Sequence, residues 1–478
     1  MGEPGALTPS PEPGAPSTEQ RVLRSTLAGY SIQLARLLVT FGAKLLLARL
    51  ILPEGHGLYE LALRIVTIAS AFRDLGLPYH LVRDARRPYG TVLAVTTFLG
   101  GLITVGLIVA APATSVLTPE LPAVLRVMAF WVLLDGLAVV PRAFFERELS
   151  IGRLIGPEVW RGVIIAAVSL SLAWLGWGVW SFVIADLAGA LLLAVWSWSR
   201  TWGRIPLKPD LHLVPDLIRR SSWLFFIWVV IQLVTYVDIF IIEVFGNTEQ
   251  VGLYSNSYRI AFLVATLVYP RALFPTLVEY LGDPPRFFDS FRLSTLQLLG
   301  FQVLGSYFLL FNAATSIRIL LGEGWEGAVP MLQVIAFIPF FDQFTILGGE
   351  MLKARHEDRA WLWAVALNLV SLVVLGVIFT QRWGAVGMGA ANYLLVGNLL
   401  MGWWIWRVFR SRFWTILADL AQLYLIPLPF FAAAAWLFPE GSWARFAASI
   451  GAAALATSAL AARYHRVFRA FFGRRGQA

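Results

Sequence analysis

Nine basic side chains lie inside otherwise apolar stretches of this sequence: Arg36, Lys44, Arg49, Arg64, Arg73, Arg126, Arg161, Arg259 and Arg271. Carboxylates are there to pair with them, among them Asp135, Asp186, Asp238, Glu243, Glu279, Asp342 and Glu350. A charge at the centre of a membrane helix costs about 3 kcal/mol on insertion scales, so it must face a partner or a wet cavity. Arg49, Arg73 and Arg126 fall near the ends of their stretches, where a long side chain reaches the interface. Arg36, Lys44, Arg64, Arg161, Arg259 and Arg271 sit deeper. Six cations around one cavity suit an anionic ligand, such as a phosphate or diphosphate, which arginine grips through two parallel hydrogen bonds. The plainer reading is that each arginine satisfies a nearby aspartate. A coupling ion, H+ or Na+, needs a carboxylate that binds and releases it. Asp238, in the run TYVDIFIIE, is the first candidate, followed by Asp135 and Asp342. A fixed ion pair with an arginine is the alternative for each.

Other chemistries lack their residues. There is no cysteine, so disulfides, thiolate metal sites and Cys nucleophiles are excluded. The histidines, His56, His80, His212, His356 and His465, have no ligand spacing. No Gly-x4-Gly-Lys-Ser/Thr loop is present to hold ATP. The net charge of +9 fits basic loops beside anionic lipid, and no nucleic-acid partner is expected.

The elements that must position these charges are membrane helices. Of the 478 residues, 58% are hydrophobic and 14% charged, and the mean hydropathy is +0.70. Apolar spans are expected near 25–51, 57–77, 90–111, 121–141, 155–176, 178–199, 220–244, 252–280, 293–313, 328–351, 360–380, 385–406, 414–437 and 443–462. At about 20 residues each, they give an all-α polytopic protein of about fourteen transmembrane helices. Arginines crowd every second connection, as in Arg83, Arg86 and Arg87, or Arg407, Arg410 and Arg412. The opposite connections carry only Arg318, Arg382 and Arg445. That alternation places both termini in the cytoplasm.

Residues 1–20, rich in Pro, Gly and Ser, are expected to be a disordered tail. The organisation expected is an N-terminal lobe over 21–200, a linker over 201–219, a C-terminal lobe over 220–410, two further helices over 411–462 and a basic tail over 463–478. The tail, with its aromatic residues, is expected on the inner membrane surface.

The two lobes look like copies. Gly57-Leu58-Tyr59 followed by Arg64-Ile65 recurs as Gly252-Leu253-Tyr254 followed by Arg259-Ile260, at an offset of 195. Leu125, Val127, Ala129, Phe130 and Asp135 recur as Leu332, Val334, Ala336, Phe337 and Asp342, at 207. Trp177-Gly178 and Ala185 recur as Trp383-Gly384 and Ala391, at 206. Parallel repeats about an axis along the membrane normal are a transporter architecture with the substrate site between the lobes.

These residues also carry a family resemblance. Ala48-Arg49-Leu50-Ile51-Leu52-Pro53-Glu54, Gly57-Leu58-Tyr59, Asp74-Leu75-Gly76-Leu77 and Leu81-Val82-Arg83 resemble the first-loop signature of bacterial polysaccharide flippases. GLYSNSYRIA (Gly252–Ala261), Leu273-Phe274-Pro275, Leu321-Gly322 with Trp325, and Val329-Pro330-Met331-Leu332-Gln333 do so too. The chain, from about residue 21 to 410, is similar to the O-antigen and capsule-unit (Wzx-like) branch of the multidrug/oligosaccharidyl-lipid/polysaccharide exporter superfamily.

The resemblance implies two six-helix lobes in a V, alternating access, and a cationic cavity for an undecaprenyl-pyrophosphate-linked oligosaccharide. It implies transfer from the cytoplasmic to the periplasmic leaflet of the inner membrane, driven by H+ or Na+ antiport, with no other cofactor. Arg36, Arg64 and Arg259 match by position the basic residues that line the cavity in relatives, and Asp238 matches a family-typical acid. The expected partners are membrane lipid, the lipid-linked oligosaccharide, and polysaccharide polymerase and chain-length proteins; the chain is expected to act as a monomer. Competing readings are a lipid II flippase, a drug/cation antiporter, and, in another class, a membrane-embedded polymerase or ligase. The last needs a large external loop with Arg and His, and the external connections here are short.

Overall fold

The computed structural model describes residues 39–78, 81, 88–147, 152–267 and 273–475. Arg36, Arg271 and the tail over 1–20 lie outside the described residues. The described chain is helical throughout. Its first helices are α1 (residues 39–50), α2 (Pro53–Asp74) and α3 (Tyr89–Ala110). Three short helices then follow end to end, α4 (Leu121–Met128), α5 (Phe130–Leu137) and α6 (Val139–Arg147). The first half closes with α7 (Gly152–Trp174) and α8 (Trp180–Thr201).

The second half contains α9 (Val214–Phe245), α10 (Thr248–Leu267), α11 (Leu273–Glu279), α12 (Pro284–Phe311), α13 (Ala313–Leu320), α14 (Ala328–Ile335), α15 (Ile338–Ala354), α16 (Asp358–Ala391) and α17 (Val396–Phe409). Last come α18 (Phe413–Leu425), α19 (Leu428–Leu437) and α20 (Trp443–Arg475). Among the described residues, nine stretches are long and apolar enough to cross a membrane, and one of them, Arg359–Leu437, takes in α16 to α19. Helices α2 and α10 are not among the nine. They carry the charges of the site described below.

The repeats seen in the sequence return as repeated local geometry. The expected single span over 121–141 breaks at Ala129, and that over 328–351 breaks at Ala336 and Phe337, its repeat equivalents. Gly178 (φ 53°) joins α7 to α8, and its equivalent Gly384 (φ 59°) makes a non-helical step inside α16. Both glycines hold the left-handed conformation that a side chain disfavours. Thus α16 is two helices joined at Trp383-Gly384, where the repeat requires a connection.

One core lies within the first half around Leu77, Val92, Val140 and Phe145. Another lies within the second half around Phe291, Leu299, Met351 and Met401, and includes Ile416, Phe431 and Leu460 from the last three helices. A third, with Leu58, Tyr59, Leu253, Tyr254 and Trp325, joins the halves. The halves meet mainly where α2 packs on α10 and α9. Helix α18 is fastened to the second half by Arg292 of α12, which donates to both carboxylate oxygens of Asp419 (2.6 and 3.1 Å), and Tyr464 of α20 donates to the Asp419 carbonyl at 3.4 Å. The basic tail is not a separate element: α20 runs unbroken through residue 463 to Arg475.

The aromatic run at the end of α17 is partly exposed, with Arg407 over the rings of Trp403 and Trp404. That is the arrangement expected of an interfacial belt.

Candidate functional site

Helix α2 starts with Pro53 at its first position and Glu54 in its first turn, both of which favour an N-terminus. Helix α10 starts after Asn247, whose Oδ1 accepts from the Gln250 N–H at 2.8 Å, a side-chain cap. The two helices then meet main chain on main chain. A Cβ on Gly57 would lie 1.8 Å from the Thr248 carbonyl oxygen, and one on Gly252 would lie 1.8 Å from the Pro53 carbonyl oxygen. Pro53 and Thr248, like Gly57 and Gly252, are related by the offset of 195. A reciprocal contact between equivalent residues is what a two-fold axis produces, here between the halves of one chain. Only glycine permits so close an approach of helices.

About one turn further along, the charges converge. Arg64 Nη2 donates to Glu60 Oε2 at 2.5 Å, and Arg259 Nη2, from the other half, donates to Glu60 Oε1. Arg259 Nη1 donates to Asn256 Oδ1 at 2.6 Å. Asn256 in turn bonds the Gly252 carbonyl at 3.0 Å and lies 3.3 Å from His56 Nδ1. Arg64 also stacks over Tyr236 at 4.3 Å. The Glu60 side chain is 1% exposed, whereas those of Arg64 and Arg259 are 21% and 20% exposed. The arginines therefore keep one side towards open space while the acid between them is sealed.

Lys44 stands beside this group, within electrostatic reach of Arg259, Glu60, Asp186 and Arg64. It lines a cavity of about 210 Å³ between α1, α2, α7 and α8 with Tyr59, Phe182 and Asp186. Tyr59 donates to Asp186 Oδ2 at 2.7 Å and stacks on Phe182 at 4.5 Å.

Arg161 is not in the Glu60 cluster. It faces Gly189 of α8 and pairs at 4.0 Å with Glu158 on its own helix.

The three candidate acids part company. Tyr254, the equivalent of Tyr59, donates to Asp238 Oδ2 at 2.9 Å, and the Ile239 N–H donates to Asp238 Oδ1 at 2.8 Å. Tyr258 donates to Asp342 Oδ2 at 3.4 Å. The Tyr254 and Tyr258 rings lie 5.9 Å apart, so α10 links both acids to the cluster around Glu60. Neither acid has an ion pair among the described residues. Asp135 has two: Arg73 Nη2 at 3.3 Å and Arg142 Nη2 at 3.2 Å. Asp135 is thus in a fixed ion pair, whereas Asp238 and Asp342 are held by tyrosine hydroxyls.

Arg73 corrects an expectation. Instead of reaching the interface it is 1% exposed. It donates to Asp74, Asp135 and the Val132 carbonyl, and packs against Gly100 and Gly136. Two glycines leave the slot, and two carboxylates offset the burial of the charge. Arg126 is exposed as expected, and Arg49 is exposed with Nη2 donating to the Ile319 carbonyl of the second half.

The sequence reading missed Glu60 altogether. Its signal was there: it stands four residues before Arg64 on one helix face, at the repeat position where the second half has Ser255.

Residues 46–330 match the family described as polysaccharide biosynthesis protein. The chain belongs to that family. Two curated relatives agree. One is the succinoglycan biosynthesis transport protein ExoT of Rhizobium meliloti (strain 1021), 26% identical over 392 residues that cover 76% of this chain and 74% of the relative. The other is the teichuronic acid biosynthesis protein TuaB of Bacillus subtilis (strain 168), 23% identical over 357 residues, or 70% and 73% of the two chains. Among solved structures, the lipid II flippase MurJ in an inward closed conformation superposes with a TM-score of 0.73 at 15% identity, over 94% of this chain and 100% of its own. An inward-facing multidrug resistance MATE transporter of the MOP superfamily follows at 0.63 and 14%, over 78% and 94%. This member of the polysaccharide biosynthesis family is thus a multi-pass membrane protein with the fold of the MOP-superfamily transporters.

Proposed function

We propose that the protein is a flippase, which carries a lipid-linked oligosaccharide on an undecaprenyl-pyrophosphate-type anchor across the bacterial inner membrane by alternating access. One observation carries the reading: the repeat-related Arg64 and Arg259, one from each half, converge on a single carboxylate at the interface between the halves. A site between two lobes, lined by two guanidiniums with Lys44 nearby, suits the oxygens of a diphosphate. The arginine-rich connections face the cytoplasm in this reading, so the Gly57–Gly252 crossing closes the external end. Asp238 and Asp342 take the coupling H+ or Na+, because they are buried or partly buried acids held by tyrosine hydroxyls rather than by arginine. The naming of the Rhizobium relative as a transport protein supports a carrier rather than an enzyme.

The test is export. In cells that depend on this protein, Arg64→Ala and Arg259→Ala abolish appearance of the lipid-linked saccharide on the outer leaflet while the protein stays in the membrane at its usual level. Full export by both variants overturns the assignment.

A further inference from the structure

The two arginines given to the substrate's diphosphate are already engaged. Glu60 offers Oε2 to Arg64 and Oε1 to Arg259, and so does to this pair what a diphosphate would do. The pair is symmetric, being related by the offset of 195, but the acid is not. Its equivalent is Ser255, whose hydroxyl is buried with no hydrogen-bond partner among the described residues. Two guanidiniums brought together in a poorly screened interior repel, and an acid between them removes that repulsion. Without Glu60 the halves could not close at the glycine crossing unless cargo supplied the anion. The arginines also retain capacity: Arg64 Nε has no partner among the described residues. Lys44 and His56 both lie within electrostatic reach of Glu60.

We propose that Glu60 is an internal stand-in for the substrate's phosphate, which holds Arg64 and Arg259 together in the empty carrier and is displaced when a lipid diphosphate binds. The inference rests on the anion-carrier reading given above. It assigns Glu60 a positioning and specificity role. The empty carrier closes on its own acid and can return, and only a ligand with several oxyanion oxygens competes for both guanidiniums.

The test uses the purified full-length protein with farnesyl diphosphate as probe. The chain has no cysteine, so spin labels can be placed on E54C and E249C, exposed equivalents on either side of the crossing. In Glu60→Gln, farnesyl diphosphate is expected to bind about tenfold tighter, a usual size for coupling between competing ligands. The label separation is expected to lengthen without the probe and to shorten when it is added.

The double variant E60S/S255E moves the acid to the equivalent place on the other half, and it is expected to return affinity and separation to wild-type values. Unchanged or weaker binding in E60Q overturns the proposal. So does an E60S/S255E protein that restores neither quantity, which decides the matter if E60Q fails to fold. Binding by wild type that is lost in R64A/R259A keeps the carrier reading alive in either case. Absence of binding in every protein removes that reading, and this inference with it.

Discussion

Asp135 and Asp342 occupy equivalent places in the two halves, each in the helix after a repeated break. Asp135 is gripped by Arg73 and Arg142. At the positions equivalent to those two arginines the second half has Val268 and Gly349, and among the described residues Asp342 receives one side-chain hydrogen bond, from Tyr258. The same contrast recurs between α2 and α10, where Glu60 and His56 face Ser255 and Val251 across the repeat. The contact surfaces have been kept alike, because the halves must meet on equivalent glycines. The charges have diverged. In the first half arginine fixes Asp135 and Glu60 while Tyr59 holds Asp186, whereas in the second tyrosine holds both Asp238 and Asp342. The symmetric contacts join the halves, and the charged groups are where the symmetry breaks.

The largest effect is expected where the halves are most alike. Gly57→Leu puts a side chain where the Thr248 carbonyl now lies, so the external end cannot close and export is lost, with the label separation held long. Export at the wild-type rate in that variant would remove the crossing from the transport cycle. Next comes the acid without an arginine. Asp342→Asn abolishes transport driven by an imposed ion gradient in proteoliposomes while thermal stability changes by no more than about 0.5 kcal/mol. Its equivalent should behave the other way round. Asp135→Asn leaves the buried Arg73 short of a partner and costs about 3 kcal/mol, read as a fall in melting temperature, with gradient coupling retained in the folded fraction. If the two variants behave alike, the contrast between the halves is wrong. The smallest effect is at Arg220, whose exposed pair with Asp216 is worth about 0.3 kcal/mol; Arg220→Ala leaves both export and melting unchanged.

Much of this arrangement was legible in the sequence, and the exceptions have physical causes. The offsets of 195, 206 and 207 gave the equivalence of Gly57 with Gly252 and of Arg64 with Arg259, because a repeat preserves what the interface needs. They hid Glu60, because a search for matches passes over the position where the copies differ. Arg73 was misjudged because nearness to a helix end says nothing of whether two glycines elsewhere leave a slot. The partnership of Asp135 with Arg142 was obscured for a related reason: Arg142 falls just past the expected span 121–141, but α6, which carries it, follows directly on α5 and places it about two turns along from Asp135. Expected single spans at Leu121 and Ala328 were broken because tertiary packing there overrides an unbroken apolar run.

The crossing of α2 and α10 is made of main chain, and this has a consequence for what such a carrier can become. At Gly57 and Gly252 the approach is of main chain on main chain, so its closeness is set by two glycines and not by the charged side chains further along the helices. In the carrier proposed above, those residues are free to change with the cargo while the glycine crossing keeps its shape. Under that proposal, two glycines separate how the halves meet from what the charged residues recognise, and specificity can change in one without redesign of the other.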